Sequence, residues 1–162
     1  MEEATAIQIR PAKSSDVAFI TSSWLNSFRQ GFLVEGVPNR VYFHYHHKVI
    51  EEVLPKSIVM VACPAEEPDI ILGYIVAETV ENALVIHYVY VKQHFRKYGI
   101  ATRLVDILRQ SEKPPMLMCT HRTKASAKIL ANRRDVVLYN PYLLFFQLPA
   151  GWESGLETPC KE

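Results

Sequence analysis

The chain has 162 residues, which suits one domain large enough to bury a core. Its 18 basic and 17 acidic residues leave a formal net charge of +1, which argues against nucleic acid or a membrane surface as a partner bound through bulk charge. The chain begins without an apolar signal segment, and no apolar run approaches the ~20 residues of a membrane span. Cys63, Cys119 and Cys160 lie far apart without metal-ligand spacing and are typical of reduced thiols, so a cytoplasmic protein is expected.

The first part of the chain predicts a strand and two helices. Residues 7–10 alternate apolar and polar side chains, as a strand does. Ser14 or Ser15 is expected to cap the first helix, with Asp16 in its first turn. Apolar residues at helical spacing extend this helix and then build a second one, with residues 31–39 as the loop between them.

The rest of the chain predicts a sheet with helical crossovers. Three strands are expected at 57–62, 70–79 and 83–92, and Glu81-Asn82 suits a tight hairpin turn between the last two. A helix at 99–111, a strand at 116–120, a short helix at 124–132 and one or two strands within 136–147 follow. The order β-α-α-β-β-β-α-β-α-β predicts an α/β domain over residues 1–148, with a mixed sheet flanked by helices. Residues 149–162 lack any period and predict a flexible tail.

A strand, a basic turn, a glycine and a helix follow one another in the middle of the chain. The first N–H groups of a helix have no internal partner and lie at the positive end of its dipole, so they bind anions. Gly99 leaves the backbone open to a phosphate, Ala101 keeps a nearby position small, and Thr102 adds a hydroxyl. Arg96 and Lys97 bring positive charge to the same turn. The pattern predicts a phosphate site that is neither a P-loop nor GxGxxG.

The residues Arg96-Lys97-Tyr98-Gly99-Ile100-Ala101 resemble the pyrophosphate motif Arg/Gln-x-x-Gly-x-Gly/Ala of the GCN5-related N-acetyltransferase (GNAT) family. The preceding strand ends in Tyr90-Val91, and the order of elements over residues 7–146 agrees with that family. The resemblance implies a GNAT-like acyl-CoA N-acyltransferase fold. It also implies transfer of an acetyl group from acetyl-CoA to a primary amine by direct attack, without a metal. It leaves open a small-molecule or a peptide acceptor, and it admits a homodimer.

The resemblance assigns a cofactor site position by position. The backbone of Val89, Tyr90 and Val91 would pair with the pantetheine arm, and an N–H near Val89 or Tyr90 would polarise the thioester carbonyl. Amides from Lys97 or Tyr98 to Thr102 would bind the pyrophosphate. The strands at 83–92 and 116–120 are expected to separate towards their carboxyl ends. The residues assigned to the cofactor are Val89, Tyr90, Val91, Arg96, Lys97, Tyr98, Gly99, Ile100, Ala101 and Thr102.

The acceptor ammonium must lose a proton before its nitrogen can attack a thioester. His87 is the titratable side chain of its strand with an unperturbed pKa near neutrality. Strand alternation places it on one face with Val89 and Val91, where a general base could line the slot. A histidine satisfied by hydrogen bonds in the core fits the pattern at least as well. Glu78 and Glu81 are the alternative bases.

The general acid departs from the family pattern. The family commonly protonates the leaving thiolate with a tyrosine on its fourth helix, but that place holds Ala131, and the usual Gly-Phe reads Asp135-Val136. Tyr139 is selected as the acid, with Tyr142 as its alternative, although each also suits a packing residue with a solvated hydroxyl. Solvent could also protonate the thiolate. The departure supports a second hypothesis, a GNAT-like acyl-CoA-binding or assembly module with little or no activity. A nucleotide-binding protein without thiol chemistry is a third.

Three further features have two interpretations each. On the second helix, His47 and Glu51 could share a metal, but a third ligand is lacking, so His44, His46 and His47 predict a solvated helix face. The loop 31–39 is expected to form the lip of the acceptor site, since this family receives the acceptor beside its first two helices. A basic segment either contacts the adenosine 3′-phosphate or forms plain surface; it comprises Arg122, Lys124, Lys128, Arg133 and Arg134.

Overall fold

The computed structural model describes residues 6–114, 116–124, 126–127 and 137–146. Within them, six strands form one sheet: β1 Ile7–Pro11, β2 Ile58–Pro64, β3 Gly73–Val80, β4 Ala83–Val91, β5 Met116–Cys119 and β6 Val137–Tyr139. The α-helices are α1 Val17–Arg29, α2 Asn39–Val53 and α3 Ile100–Glu112. Each of them is too short or too polar to traverse a lipid bilayer, as far as the described residues go.

The strands lie in the sheet in chain order. β1 to β4 run antiparallel to their neighbours, whereas β4, β5 and β6 are parallel. The predicted α/β fold with a mixed sheet is confirmed. In the described part of the segment 136–147, only Val137–Tyr139 is a strand, and Pro141–Leu144 forms a short 3₁₀ turn. Most of the predicted helix 124–132 and the whole predicted tail 149–162 lie outside the described residues.

Helices cover both faces of the sheet. The apolar stripe of α3 packs on one face, where Ile100, Leu104 and Leu108 are each no more than 2% exposed. α1 and α2 pack on the other face through Ile20, Trp24 and neighbouring apolar residues. The buried faces of α1 and α3 follow the helical spacing of their apolar residues, because each helix has a single sheet face to cover. For α2 the spacing through Val41 and Tyr45 predicts the wrong face, since both are exposed and Tyr42 and Ile50 are buried instead.

A β-bulge interrupts the ladder between β3 and β4. Val76 pairs with Tyr88 and Ala77 pairs with Ile86, so His87 has no residue opposite it. A bulge of one residue reverses the alternation of side chains beyond it. Accordingly, Ile86 and Val89 both pack under α3, whereas Tyr88 packs under α1 and α2.

The bulge changes the orientation expected for His87. Simple alternation placed this side chain on one face with Val89 and Val91, and that expectation is wrong. Val89 and Val91 pack in the cluster under α3, while the ring of His87 bonds Glu78 and Thr120. The hairpin prediction is confirmed, because Val80 pairs with Ala83 across Glu81-Asn82.

β4 and β5 separate beyond the bulge. Their pairing runs from Ala83 with Met116 to Ile86 with Cys119, and a last bond of 3.1 Å joins the Thr120 amide to the Ile86 carbonyl. β4 continues to Val91 without pairing to β5. The predicted separation of these strands is confirmed. Beyond Ile86, β4 therefore has no β5 partner along the edge that leads to Val91, within the described residues.

A buried ion pair holds the turn that enters α1. The Nη1 and Nη2 atoms of Arg10 donate to the carboxylate of Asp16 at 2.7 and 3.2 Å, and the Lys13 amide donates to it at 2.7 Å. The Asp16 side chain is 5% exposed. The hydrogen bond from Arg10 lowers the pKa of Asp16 despite its burial. A carboxylate, and neither predicted serine, therefore satisfies the amide at this helix entry.

Replacing Asp16 by alanine is expected to lower the free energy of unfolding by about 3–5 kcal/mol, because the Arg10 guanidinium stays buried without its partner. The folded state lowers the pKa of Asp16, so the unfolded chain binds this proton first as the pH falls. The stabilisation is therefore present at neutral pH and lost below about pH 4 in the wild type only. Urea unfolding at both pH values measures the effect.

Asp69→Ala is the matched control. Asp69 binds Lys13 at 3.0 Å, but its side chain is 86% exposed, and a solvated pair contributes about 0–1 kcal/mol. Equal stability of the two variants at neutral pH would contradict a structural role for the buried pair.

Candidate active site

The backbone at the start of α3 is open to a ligand. Gly99 is the N-cap with a φ of 68°, in the left-handed region that favours glycine. Among the described residues no side chain caps the helix, and a Cβ built on Gly99 would meet no atom within 4 Å. The first helical bond joins the Arg103 amide to the Gly99 carbonyl at 3.0 Å. The amides of the first helical turn, residues 100–102, therefore have no partner within the helix.

The basic turn before α3 is attached to the end of β4. The Nε atom of Arg96 donates to the Val91 carbonyl at 3.1 Å. The amide of Tyr98 donates to the Phe95 carbonyl at 3.3 Å, so it already has a partner inside the turn. The side chains of Lys97 and Tyr98 are exposed. The turn thus brings two cationic side chains beside the open amides of α3.

The free edge of β4 continues towards this turn. The Lys92 amide donates to the Leu72 carbonyl, which directs its backbone groups towards β3. By strand alternation, the backbone groups of Tyr90 also point to β3, and those of Val89 and Val91 point to the side that β5 leaves open. The Val91 carbonyl already accepts a bond from Arg96. The backbone of Val89 is consequently the best placed of the predicted pantetheine contacts.

A cleft lies where β4 and β5 separate. It is bordered by residues 86–89 of β4, by Val105 of α3, and by Cys119 and His121 at the end of β5. Most of this lining is apolar, and its titratable side chains are His87, Tyr88, Cys119 and His121. The described part of the chain thus joins the cleft, the free edge of β4 and the open start of α3 on one side of the sheet.

Both ring nitrogens of His87 are hydrogen-bonded inside the protein. Nδ1 lies 3.0 Å from the Thr120 hydroxyl, and Nε2 lies 3.2 Å from the Glu78 carboxylate. Burial lowers the pKa of His87, and the bond to Glu78 opposes that change. Glu78 also lies 3.7 Å from the ammonium of Lys56, and its side chain is 22% exposed. The structure therefore combines two residues, His87 and Glu78, that the sequence offered as alternatives.

Two histidines that the sequence did not select extend this network. His121 Nδ1 lies 3.0 Å from the Thr120 hydroxyl, and His121 Nε2 lies 3.1 Å from His46 Nε2. The His46 ring stacks between Phe28 and Tyr42 at centroid distances of 4.9 and 5.1 Å. Burial lowers the pKa of His46 to about 4, and burial with the nearby His46 lowers the pKa of His121 well below its usual value.

The solvated helix face predicted for the three histidines of α2 is wrong for His46. His44 and His47 are exposed, and His47 Nδ1 lies 3.4 Å from Glu51. His46 falls at helical spacing between the buried residues Tyr42 and Ile50. This i, i+4 pattern was the available signal for its inward position. Within the described ranges, no three His, Cys, Asp or Glu side chains are arranged to hold a metal.

The loop between α1 and α2 is tied down by Arg29. Its guanidinium donates to the Val34 carbonyl at 2.6 Å, the Val37 carbonyl at 2.7 Å and the Asn39 side chain at 2.7 Å. A short 3₁₀ turn, Phe32–Val34, lies within this loop. The segment predicted as the acceptor lip is therefore held in one conformation against α1.

Those of the remaining predicted residues that the structure describes lie outside the lining of the cleft. Tyr139 is 41% exposed on β6 opposite Cys119, and partial burial with nearby Cys119 raises the pKa of its phenol. Tyr142 is 70% exposed, and Glu81 lies in the β3–β4 turn. Arg122 and Lys124 are exposed. Ala131, Asp135, Val136, Lys128, Arg133 and Arg134 fall outside the described residues.

Comparisons with known proteins agree with this geometry. The sequence model of the Acetyltransferase (GNAT) family matches residues 18–116, more than half of the 162 residues. The chain therefore belongs to the GNAT acetyltransferase family, and the predicted family and enzyme class are confirmed. No curated protein sequence matches the chain.

Solved structures extend the likeness of the fold to most of the chain. An acetyltransferase of the GNAT family from Staphylococcus aureus Mu50 superposes with a TM-score of 0.58 at 15% identity, covering 79% of this chain and 82% of that one. The ribosomal-protein-alanine N-acetyltransferase from Brucella melitensis biovar Abortus 2308 gives a TM-score of 0.56 at 17% identity, covering 81% and 92%. Identities this low relate the folds and carry no acceptor identity across.

His46→Gln is expected to flatten the pH dependence of stability. The folded pKa of His46 is about 4 against an ordinary 6.5, so the unfolded chain gains this proton first as the pH falls. The contribution of His46 to the free energy of unfolding is therefore present above pH 6.5. It is lost as the pH falls towards 4, by up to about 1.4 kcal/mol per pH unit. Because glutamine does not titrate, the His46→Gln variant should lose less stability than the wild type as the pH falls.

Urea unfolding across this pH range measures the difference. His44→Gln is the control, because His44 lies on the same helix and is exposed. If His46→Gln and His44→Gln lose stability equally as the pH falls, His46 is not held neutral by its surroundings.

Proposed function

We propose that the protein transfers the acetyl group of acetyl-CoA to a primary amine by direct attack and without a metal. One observation supports this most strongly. The uncapped start of α3 at Gly99 follows the free edge of β4 through a short basic turn, so one continuous backbone surface can bind a diphosphate and a thioester arm. The assignment of the chain to an acetyltransferase family supports the same function.

The cofactor residues have distinct roles in this proposal. Amides of residues 99–102 bind the diphosphate, assisted by the charges of Arg96 and Lys97. The backbone of Val89 pairs with the pantetheine arm, and its N–H polarises the thioester carbonyl. Tyr90 and Val91 position that edge, since their own backbone groups are engaged with β3 and Arg96.

The reaction requires two proton transfers. The ammonium of the acceptor loses a proton, its nitrogen bonds the thioester carbonyl carbon, and the carbon–sulfur bond breaks. The nitrogen then loses a second proton and the thiolate gains one. His87, bonded to Glu78, takes part in the first transfer. Tyr139, the acid selected from the sequence, lies outside the lining of the cleft, so the thiolate takes its proton from solvent.

The acceptor is proposed to enter beside α1 and α2, over the loop held by Arg29. Its chemistry, a small molecule or a peptide, is left to experiment. A cytoplasmic setting agrees with the free, buried thiols of Cys63 and Cys119. The alternative function is an acyl-CoA-binding module with little activity, which is favoured by the complete engagement of the His87 ring.

Turnover with a panel of amines tests the proposal. Thiol release from acetyl-CoA is measured with spermidine, kanamycin, a peptide with a free N-terminal alanine and an N-blocked lysine peptide, and acetyl-CoA binding is measured by calorimetry. Transfer to any of these amines supports the enzyme. Tight binding without transfer supports the binding module, and absence of binding overturns both.

Gly99→Val is expected to abolish the diphosphate site while the fold persists. A Cβ at this position meets no atom of the described residues within 4 Å, so it would occupy the space assigned to phosphate oxygens. The left-handed φ adds a backbone strain of about 1–2 kcal/mol. Acetyl-CoA affinity is expected to fall at least about tenfold, equivalent to 1.4 kcal/mol.

Gly36→Val is the matched control, since Gly36 lies in the α1–α2 loop, has no positive φ, and would likewise place a Cβ in open space. It should leave acetyl-CoA affinity unchanged. If Gly99→Val remains folded in a thermal melt and binds acetyl-CoA as well as this control, the phosphate assignment is wrong.

A further inference from the structure

Five side chains form one continuous hydrogen-bonded chain through the interior. Glu78 bonds His87 at 3.2 Å, His87 bonds Thr120 at 3.0 Å, Thr120 bonds His121 at 3.0 Å, and His121 bonds His46 at 3.1 Å. These residues come from β3, β4, the end of β5 and α2. The chain therefore connects the partly exposed carboxylate of Glu78 with the aromatic cluster between α1, α2 and the sheet.

The chemistry of the groups orients these bonds in a single direction. A carboxylate only accepts, so Nε2 of His87 carries its proton towards Glu78. Burial keeps the histidines neutral, so His87 Nδ1 accepts the hydroxyl proton of Thr120. The Thr120 oxygen then accepts from His121 Nδ1, and His121 Nε2 accepts from His46 Nε2. Every donor points towards Glu78.

The inner end of the chain lies next to the cleft. His121 lines the cleft, and His46 is one hydrogen bond further in. His46 Nδ1 has no hydrogen-bond partner among the described residues. The Trp24 indole, whose ring centroid lies 6.4 Å from that of His46 and 5.1 Å from that of His121, has a buried Nε1 without a partner in the described part of the chain. A polar group bound here would accept a hydrogen bond from Trp24 Nε1 and donate one to His46 Nδ1.

We propose that this chain carries the first proton lost by the acceptor amine from His46 through His121, Thr120 and His87 to Glu78, and from there to solvent. The proposal rests on the proposed acetyltransferase function. It adds His46, His121 and Thr120 to the residues that serve the reaction. It also lets His87 take part in the proton transfer although both of its ring nitrogens are hydrogen-bonded.

The proton balance of the relay closes at each step. His46 Nδ1 takes the proton of the ammonium, and the Nε2 proton of His46 passes to His121 Nε2. The Nδ1 proton of His121 passes to the Thr120 oxygen, whose own proton passes to His87 Nδ1. The Nε2 proton of His87 passes to Glu78, which releases it to water. Each histidine is neutral before and after the transfer, with its proton on the other ring nitrogen, so the rings and the Thr120 hydroxyl return to their first arrangement before the next turnover.

Because each histidine is neutral before and after the transfer, the relay avoids the energetic cost of a charged histidine in the interior. Burial lowers the pKa of His46 and of His121, so neither ring holds a proton for long at neutral pH. A relay needs each ring only to gain a proton on one nitrogen while losing one from the other. The proton ends on Glu78, which is neutral until it releases the proton to nearby solvent.

Few other titratable groups of the described residues face the chain. Lys56 lies at the outer end, and the phenols of Tyr42 and Tyr88 contact the rings at the inner end. Burial raises the pKa of Tyr88 to about 12 and the pKa of Tyr42 still further, so both phenols stay protonated in the assay range. A change in the pH profile on breaking the chain therefore reports the relay.

Thr120→Val with Thr120→Ser as its matched control tests the relay, because valine keeps the shape of threonine and serine keeps its hydroxyl. The acceptor is the most active amine of the panel above. Thr120→Val is expected to lower kcat at neutral pH at least about tenfold, with KM for acetyl-CoA unchanged. The activity of this variant should recover at higher pH, because the free amine then loses its proton to solvent. Thr120→Ser should follow the wild-type profile. His46→Gln should lose activity with the same pH dependence as Thr120→Val.

Nitrogen NMR of histidine-labelled protein supplies a readout that needs no substrate. The wild type should show the Nε2–H tautomer for His46 and His87 and the Nδ1–H tautomer for His121, with exposed His44, His47 and His94 as reference signals. Thr120→Val should disturb the signals of His87 and His121, and Thr120→Ser should not.

The outcomes separate the two proposals. Turnover with identical pH profiles for Thr120→Val and Thr120→Ser overturns the relay and leaves the acetyltransferase standing, as does a different set of tautomers in the wild type. No transfer by the wild type to any amine overturns the proposed function, and the relay as a catalytic device falls with it.

Discussion

The single extra residue in β4 determines how the rest of the site is arranged. Because His87 has no partner in β3, the alternation of side chains reverses there, and the strand changes direction relative to β5. Pairing with β5 ends at the same point, so within the described residues β4 has no β5 partner beyond Ile86 along the edge that leads to Val91. One local irregularity thus creates the cleft, exposes the strand edge that leads to Gly99, and turns His87 towards Thr120.

The second constraint is the cost of burying polar groups between two helices and a sheet. Three histidines lie in or beside an aromatic cluster in which Trp24 stacks on Tyr88 at 4.9 Å and Phe28 contacts both His46 and His121. An unpaired polar ring at such a position is expensive, so each histidine is neutral and bonded to the next. The network is therefore a condition for packing this cluster, and the same bonds form the path proposed for a proton.

The sequence predicted the fold and the uncapped start of α3 well because both depend on local patterns. Helical spacing identified the buried faces of α1 and α3, and Gly99 followed by an amphipathic helix identified the open helix start. It failed where distant residues decide the outcome. The bulge at His87 is a property of two strands in register, and no alternation rule within β4 reveals it. The bonds of His46 to His121 and of His87 to Glu78 join residues 75 and 9 positions apart, so they emerge only when the sheet and α2 are assembled.

The three bonds from Arg29 to the α1–α2 loop have a consequence for recognition. A loop that must become ordered when a substrate arrives spends binding free energy on lost conformational entropy. Here the Arg29 guanidinium already holds Val34, Val37 and Asn39 in the free protein. The proposed acceptor entrance beside α1 would thereby be preorganised, and it would select among incoming molecules by their shape instead of closing around each one.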